Sequence, residues 1–249
     1  MDLEASVKKF AKNNLLIISF GNWDFRDYAL NWAAHLRELG IDNYLIIATD
    51  KELAHFLTSR GINSFYIGNE RTFNPLQFNA RFRAIRDLLS LGITLLHSDL
   101  DAIWIKNPLQ YIDSQYDMVA SMVSAGNPHP WLTAERWGFT FCMGWMLYKS
   151  NEKTLDLFEK CVKFSENSDN KCDQFAFNNY LSTKNPKAPV THIERDIVEM
   201  NLEGLKIKIL GQSIIARTVQ FEEGACVVHP PLGPIKRKQI LKSIKLWKL

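Results

Sequence analysis

The 249 residues are 46% hydrophobic and 12% aromatic, enough to bury the core of one α/β domain and too apolar for a disordered or fibrous chain. Charged residues make up 23% and the formal net charge is only +3, so the whole-molecule field demands neither nucleic acid nor a membrane as partner. Residues 1–14 hold no apolar stretch of signal-peptide or anchor length, and Cys142, Cys161, Cys172 and Cys226 lack Cys-x-x-Cys spacing, which predicts a soluble, cytoplasmic protein with core thiols.

Leu15 to Phe20 is a continuous apolar run ending at Gly21 and Asn22, the pattern of a strand buried on both faces. Leu30, Ala33, Ala34, Leu36 and Leu39 then recur at helical spacing, and Gly40 supplies the left-handed stop. Asn43 to Ala48 reads as the second strand, Thr49 or Asp50 as the cap of a helix running to Gly61, and Ser64 to Ile67 as the third strand. A helix after Pro75, through Phe82, Ile85, Leu88 and Leu89, ends at Gly92; Ile93 to Leu96 is a fourth strand running into His97, Ser98, Asp99, Leu100 and Asp101. This alternation predicts a Rossmann-like α/β fold, 1–249 as a single domain, with a mostly parallel sheet flanked by helices. Substrates of such a sheet bind at the carboxyl ends of its strands.

Beyond Pro108 the pattern is less regular. Met118 to Met122 and Phe139 to Tyr148 read as strands, Gly126 to Pro130 as a turn-rich loop, and Asn151 to Phe164 as a capped helix. Asp173 to Leu181 is a shorter helix, Thr183 to Pro189 a polar loop, and Leu205 to Leu210 and Ala225 to Val228 late strands before His229.

Asp99 and Asp101 stand where a strand leaves the core. In an extended segment residues two apart point the same way, so a hard cation, Mn²⁺ or Mg²⁺, would bridge them to a diphosphate. Asp-x-Asp by itself is a weak signal, equally a solvated turn. The flanks are more specific: Leu95-Leu96-His97-Ser98-Asp99-Leu100-Asp101-Ala102-Ile103-Trp104-Ile105-Lys106-Asn107-Pro108 resembles the aspartate motif of retaining GT-A glycosyltransferases, especially the nucleotide-diphospho-sugar transferases of glycosyltransferase family 77. The likeness continues through Asn22, Asn31-Trp32, Gly40-Ile41, Asp50, Asp173-Gln174 and His229.

The resemblance implies a GT-A fold, a UDP-sugar donor carrying galactose, xylose or glucose, and transfer with retention to a glycan, protein or lipid hydroxyl. It implies Asp99, Asp101 and His229 as metal ligands, with Gly233 and Lys236 as phosphate-binding groups after the histidine. Phe20, Gly21 and Asn22 would cradle base and ribose, and Asp50 would lie near the nucleotide, although helix capping explains Asp50 equally well. Arg83 falls at the spacing where glycogenin-type enzymes place a basic donor-binding residue and is favoured over Arg81 and Arg86. Phe141-Cys142-Met143-Gly144-Trp145-Met146 resembles the family's Asn-Ser-Gly-Phe strand, whose glycine allows close approach to the donor sugar; Cys142 replaces the usual Asn. Asp173 and Gln174 match the Asp-Gln pair whose acid lies near that sugar as nucleophile or polar support, although an acid stabilised by the dipole of a helix N-terminus explains Asp173 as well.

Two other functions compete. Haloacid-dehalogenase-type phosphatases also carry Asp-x-Asp after a strand, but theirs opens the chain and continues with Gly-Thr, whereas Ala102-Ile103 follows here. A nucleotide-sugar-binding protein without turnover would keep the fold and tolerate Cys142. The lysine-rich C-terminus, with Ile240, Leu241, Ile244 and Trp247 on one side, predicts a helix docked on the core, with contact to an anionic membrane surface or nucleic acid as the alternative.

Overall fold

The computed structural model describes residues 2–68, 79–123, 131–167, 172–231 and 233–249. The expected start of a helix after Pro75 and the loop Gly126 to Pro130 lie outside the described residues. In chain order the elements are α1 Leu3–Phe10, β1 Leu15–Gly21, α2 Arg26–Glu38, β2 Tyr44–Ala48, α3 Lys51–Thr58, β3 Ser64–Tyr66, α4 Asn79–Leu89, β4 Thr94–Ser98, β5 Ile103–Trp104 and β6 Met118–Val123. There follow α5 Trp131–Trp137, β7 Thr140–Tyr148, α6 Glu152–Glu166, α7 Asp173–Lys184, β8 Thr191–Glu194, β9 Ile197–Leu202, β10 Leu205–Leu210, β11 Ile215–Ala216, β12 Val227–Val228 and α8 Pro234–Ser243.

A nine-stranded sheet in the order β3-β2-β1-β4-β7-β6-β10-β9-β8 spans the molecule, and β11-β12-β5 form a smaller one. The expectation of a mostly parallel sheet holds throughout its first half, and in the second half only for β6 and β10. β3, β2, β1 and β4 run parallel, but β7 is antiparallel to both β4 and β6, and β10, β9 and β8 are joined antiparallel. The sheet is therefore mixed. The edge strand β8 escapes a pattern search for a physical reason: it is exposed along its whole length, so it carries no buried face to mark it.

Side chains alternate between two cores, one per sheet face. Leu16, Ile18, Leu45 and Ile47 face Phe82 and Ile85 of α4, Phe158 of α6 and Phe177 of α7. Ile17, Ile46 and Ala48 face Trp32 of α2, Leu53 of α3 and Leu241 of α8. Local signals fix the helix ends: Gly40 and Gly92 adopt φ of 69° and 81°, as a left-handed stop requires. Asn151 forms a capping box with Thr154.

The C-terminus docks as expected. Leu241 is fully buried, Ile244, Leu246 and Trp247 pack against the second core, and Asn31 and His35 of α2 both bond the Leu246 carbonyl. Among the described residues no helix is long and apolar enough to cross a membrane.

Candidate active site

The site begins where β4 ends. Ser98, fully buried, accepts from the indole N–H groups of Trp32 and Trp104 at 3.3 and 3.0 Å, and the chain then turns. Asp99-Leu100-Asp101 is that turn, closed by the Ala102 N–H to the Asp99 carbonyl at 2.9 Å, rather than the extended segment expected. Both carboxylates nevertheless converge, because Leu100 between them is buried against Gly21. A side chain at Gly21 would stand 2.6 Å from Leu100 Cδ1.

Opposite stands a distortion in β7. Ala120 pairs with Met146 but Ser121 pairs with Cys142, so Met143, Gly144 and Trp145 bulge from the ladder. Ser121 Oγ closes the bulge onto the Cys142 and Trp145 carbonyls at 3.2 and 3.0 Å. The bulge presents its backbone to the site. Gly144 O accepts from Asp99 N at 2.9 Å, Met143 O faces His97 Nδ1 at 2.8 Å, and Met143 N donates to Gln174 Oε1 at 3.3 Å.

β12 delivers His229. Its Nε2 lies 3.1 Å from Asp101 Oδ1 and 3.7 Å from Asp99 Oδ2. Ligand atoms of Asp99, Asp101 and His229 all fall within 4.8 Å of one another, bringing together the three metal ligands expected. Two carboxylates and an imidazole are a donor set that suits Mn²⁺ or Mg²⁺ with positions left for substrate oxygens. Two further observations fit a cation. Asp101 Oδ1 is buried and makes no hydrogen bond, though it faces His229 Nε2, and Gly144, lacking a Cβ, lets His229 and Asp99 crowd against the bulge, where a Cβ would meet His229 Cε1 at 2.1 Å and Asp99 Oδ2 at 2.8 Å.

Arginines surround this cluster, though not the one that the sequence favoured. Arg83 points away, ion-paired with exposed Glu166 at the surface. Arg81, two residues earlier and so on another face of α4, reaches Asp173 at 3.0 Å and Asp99 at 3.5 Å. Lys236 is exposed at the start of α8, as is Gly233 before it, while the neighbouring Arg237 pairs with Asp101. Arg217 Nη1 lies 2.5 Å from His229 Nδ1. Spacing had not singled out Arg217. Its available signal was a charged residue directly following the buried run Ile214-Ile215-Ala216, the same placement that marks Asp99.

Burial and charge set the protonation states. Partial burial opposes the charge of Asp99, but Arg81 and the neighbouring histidines and Arg237 outweigh it and hold the carboxyl below its usual range. Asp173 moves the other way: burial raises its pKa, with Asp99 adding to the shift and Arg81 opposing it. Burial and the Arg81 charge push His97 down to about 4, so its ring is neutral, with Nδ1–H on Met143 O and a buried, unpartnered Nε2. Cys142 is more than a core thiol. Burial raises its pKa, yet Arg217 and His229, whose Nδ1 is 3.8 Å from the sulfur, bring it to about 7.

The remaining expected residues line the adjacent strand end. The Phe20 ring lies 5.8 Å from that of His97, tilted by 50°, and Asn22 Oδ1 is buried without a hydrogen bond. Asp50 caps α3 through Leu53 N at 2.7 Å and accepts from Trp23 N at 2.6 Å, so local structure engages both oxygens. Asp173 opens α7, and the Gln174 N–H bonds its carboxylate at 2.8 Å.

Residues 39–231 match the family described as nucleotide-diphospho-sugar transferase. Among relatives from Arabidopsis thaliana, arabinosyltransferase XEG113 is 32% identical over 111 residues, 41% of this chain and 17% of its own. β-Arabinofuranosyltransferase RAY1 is 26% identical over 67% of this chain and 33% of its own. UDP-D-xylose:L-fucose α-1,3-D-xylosyltransferase MGP4 is 26% identical over 46% and 35%. The chain thus spans well under two thirds of the length of these relatives. Among solved structures, the galactosyltransferase LgtC in complex with donor and acceptor sugar analogues has a TM-score of 0.51 at 11% identity, covering 94% of this chain and 96% of that one. A glycosyltransferase involved in glycosylation of the major capsid of PBCV-1 has the same TM-score at 12% identity, covering 90% and 97%. These two are likenesses of fold alone. With the sheet, the aspartate turn and a family match over residues 39–231 in agreement, the chain belongs to the nucleotide-diphospho-sugar transferases.

Proposed function

We propose that this chain is a retaining, metal-dependent glycosyltransferase that moves a sugar from a UDP-linked donor to a hydroxyl of a glycan, protein or lipid acceptor. The observation that carries it is the convergence of Asp99, Asp101 and His229 at the carboxyl end of β4, against the bulge that bares Gly144. Asp99, Asp101 and His229 would hold Mn²⁺ or Mg²⁺, which when bound supplies Lewis-acid neutralisation of charge on the departing diphosphate. The names of the relatives add arabinose to the galactose, xylose or glucose of the sequence reading, which makes UDP-pentoses the first donors to test.

The chain's own residues do the positioning. Asn22 offers its unpartnered oxygen to a base N–H at the end of β1, beside Phe20 and Gly21. Arg81 pins Asp173 at the wall where the donor sugar would lie, and Gln174 holds the bulge through Met143. In that position Asp173 is a polar support for the sugar as positive charge builds at its anomeric carbon. The acceptor hydroxyl attacks from the face the diphosphate leaves and gives its proton to the departing phosphate oxygen.

A panel of sugar nucleotides with Mn²⁺, read by UDP release and repeated on Asp101→Ala and Asp101→Asn, tests the reading. One donor is expected to release UDP, with rates lower by at least about a hundredfold in both variants, the scale of several kcal/mol for lost metal stabilisation. Equal rates in wild type and variants would remove the metal site.

A further inference from the structure

A cavity of about 320 Å³ opens beside the hairpin of β8 and β9, within the roughly 300–1,000 Å³ of small-ligand pockets. It lies at the same end of the sheet as Asp99. β7 reverses direction after β4, β6 reverses it again and β10 follows β6, so the end of β10 and the start of β9 share that edge. β11 ties the two places together: Ser213 lines the cavity before it, and Thr218 lines the cavity directly after Arg217, which reaches His229. Four residue steps from Ser213 to Arg217 span at most about 14 Å, so cavity and metal cluster are neighbours.

The floor of the cavity is held in place. Asp196 stands at φ of 64°, its carbonyl accepting from Gly211 N at 2.7 Å and its Oδ2 from Ser213 N at 2.6 Å. Gly211 makes the room, since a Cβ there would stand 1.9 Å from Asp196 Oδ1. That Oδ1 makes no hydrogen bond among the described residues, and neither do the side-chain amides of Gln212 and Gln220 in the same lining. The Thr218 hydroxyl accepts from Gln220 N at 3.2 Å and keeps its own proton to give, and Phe221 adds a part-buried ring. Arg195 is already paired with Glu222 at 3.2 Å, which leaves the Asp196 carboxylate as the unpaired charge of the lining, repelling phosphates and uronates. Lone pairs, amide donors and one ring face, with no free cation among them, suit a neutral ligand rich in hydroxyls.

We propose that this cavity binds a neutral glycan and is the subsite for the acceptor chain beyond the sugar that receives the transfer. The assignment rests on the transferase reading and narrows its acceptor to a glycan. Asp196 Oδ1 accepts from sugar hydroxyls, the amides of Gln212 and Gln220 both give and accept, and Phe221 covers the C–H face of one ring.

Calorimetric titration with neutral tetrasaccharides of arabinose, xylose, galactose or glucose, and with an unglycosylated serine-rich peptide, tests the site without any donor. One tetrasaccharide is expected to bind and the peptide is not. Asp196→Asn suits the turn, because Asn also tolerates the left-handed region, and it keeps an acceptor for Ser213 N while turning the free oxygen into a donor. Asp196→Asn and Phe221→Ala are each expected to weaken the tetrasaccharide by roughly tenfold, the scale of one hydrogen bond to a charged group or one ring contact. UDP affinity at saturating Mn²⁺ should move by less than about twofold in both, because the two sites share no residue. Phe221→Leu, which keeps most of the volume without a ring, serves where the alanine variant fails to melt cooperatively. Wild-type protein that binds no tetrasaccharide, or binds the peptide instead, overturns the proposal. So do variants that keep wild-type saccharide affinity, or in which saccharide and UDP affinities fall together. Saccharide binding that depends on Asp196 and Phe221, in a protein that releases UDP from no donor, keeps the glycan site and removes the transferase reading.

Discussion

Replacing Gly144 by alanine tests the site geometry without reference to any substrate. The added Cβ would stand 2.1 Å from His229 Cε1, 2.6 Å from His229 Nδ1 and 2.8 Å from Asp99 Oδ2, all inside contact distance, so something must move. The bulge resists, because Asp99 N and Ser121 Oγ bond its carbonyls. The backbone of His229 is also held, by its N–H to Ala216 O at 2.8 Å. What yields is the imidazole, with the Asp99 carboxylate. Overpacking of this kind costs about 1–3 kcal/mol. At about 2–4 °C per kcal/mol for a chain of this size, the unfolding midpoint should fall by roughly 2–12 °C. Misplacing two ligands at once should also weaken Mn²⁺ binding by at least about tenfold. Circular-dichroism melting and a Mn²⁺ titration on the same preparation read both effects. A Gly144→Ala protein with the wild-type midpoint and wild-type Mn²⁺ affinity would refute the placement of β7 against the cluster.

Arg81 and Arg83 of α4 should separate cleanly in urea denaturation. Arg81→Ala strands the buried carboxylate of Asp173 and is expected to cost about 3–5 kcal/mol, whereas Arg83→Ala breaks only a screened surface pair with Glu166, worth about 0–1 kcal/mol. Equal losses would contradict the helix phase described here. His35, whose pKa is lowered chiefly by burial with Lys248 adding to it, gives a pH dependence. Because its folded pKa lies below the unfolded value of about 6.5, the contribution is complete above that pH and is lost as pH falls through it toward the folded value. His97, lowered to about 4, acts with the same sign, so the variant isolates one of the two. Denaturation midpoints at pH 7.5 and 5.5 should therefore differ less in His35→Gln than in wild type; an unchanged difference would show that His35 ionises freely in the fold.

The sequence by itself determined what depends on near neighbours. Apolar runs located β1, β2 and β4, because strands buried on both faces leave few polar positions to blur them, and Gly40, Gly92 and Asn151 marked helix ends through backbone chemistry that acts within a few residues. The Asp99 and Asp101 pair was legible for the same reason. Only the tertiary structure decided the direction of β7, the bulge that bares Gly144, and which cations face the carboxylates. Arg81 and Arg83 differ by two residues on one helix, so the choice between them is a matter of rotation against β4 and α7, which spacing along the chain does not encode. Arg217 and Arg237 meet residues on other elements, Arg237 reaching back to Asp101 across most of the second half of the chain, and the packing of α8 on the core fixes that encounter. Local chemistry writes the elements; the faces they turn to one another are set by burying both sides of a single sheet.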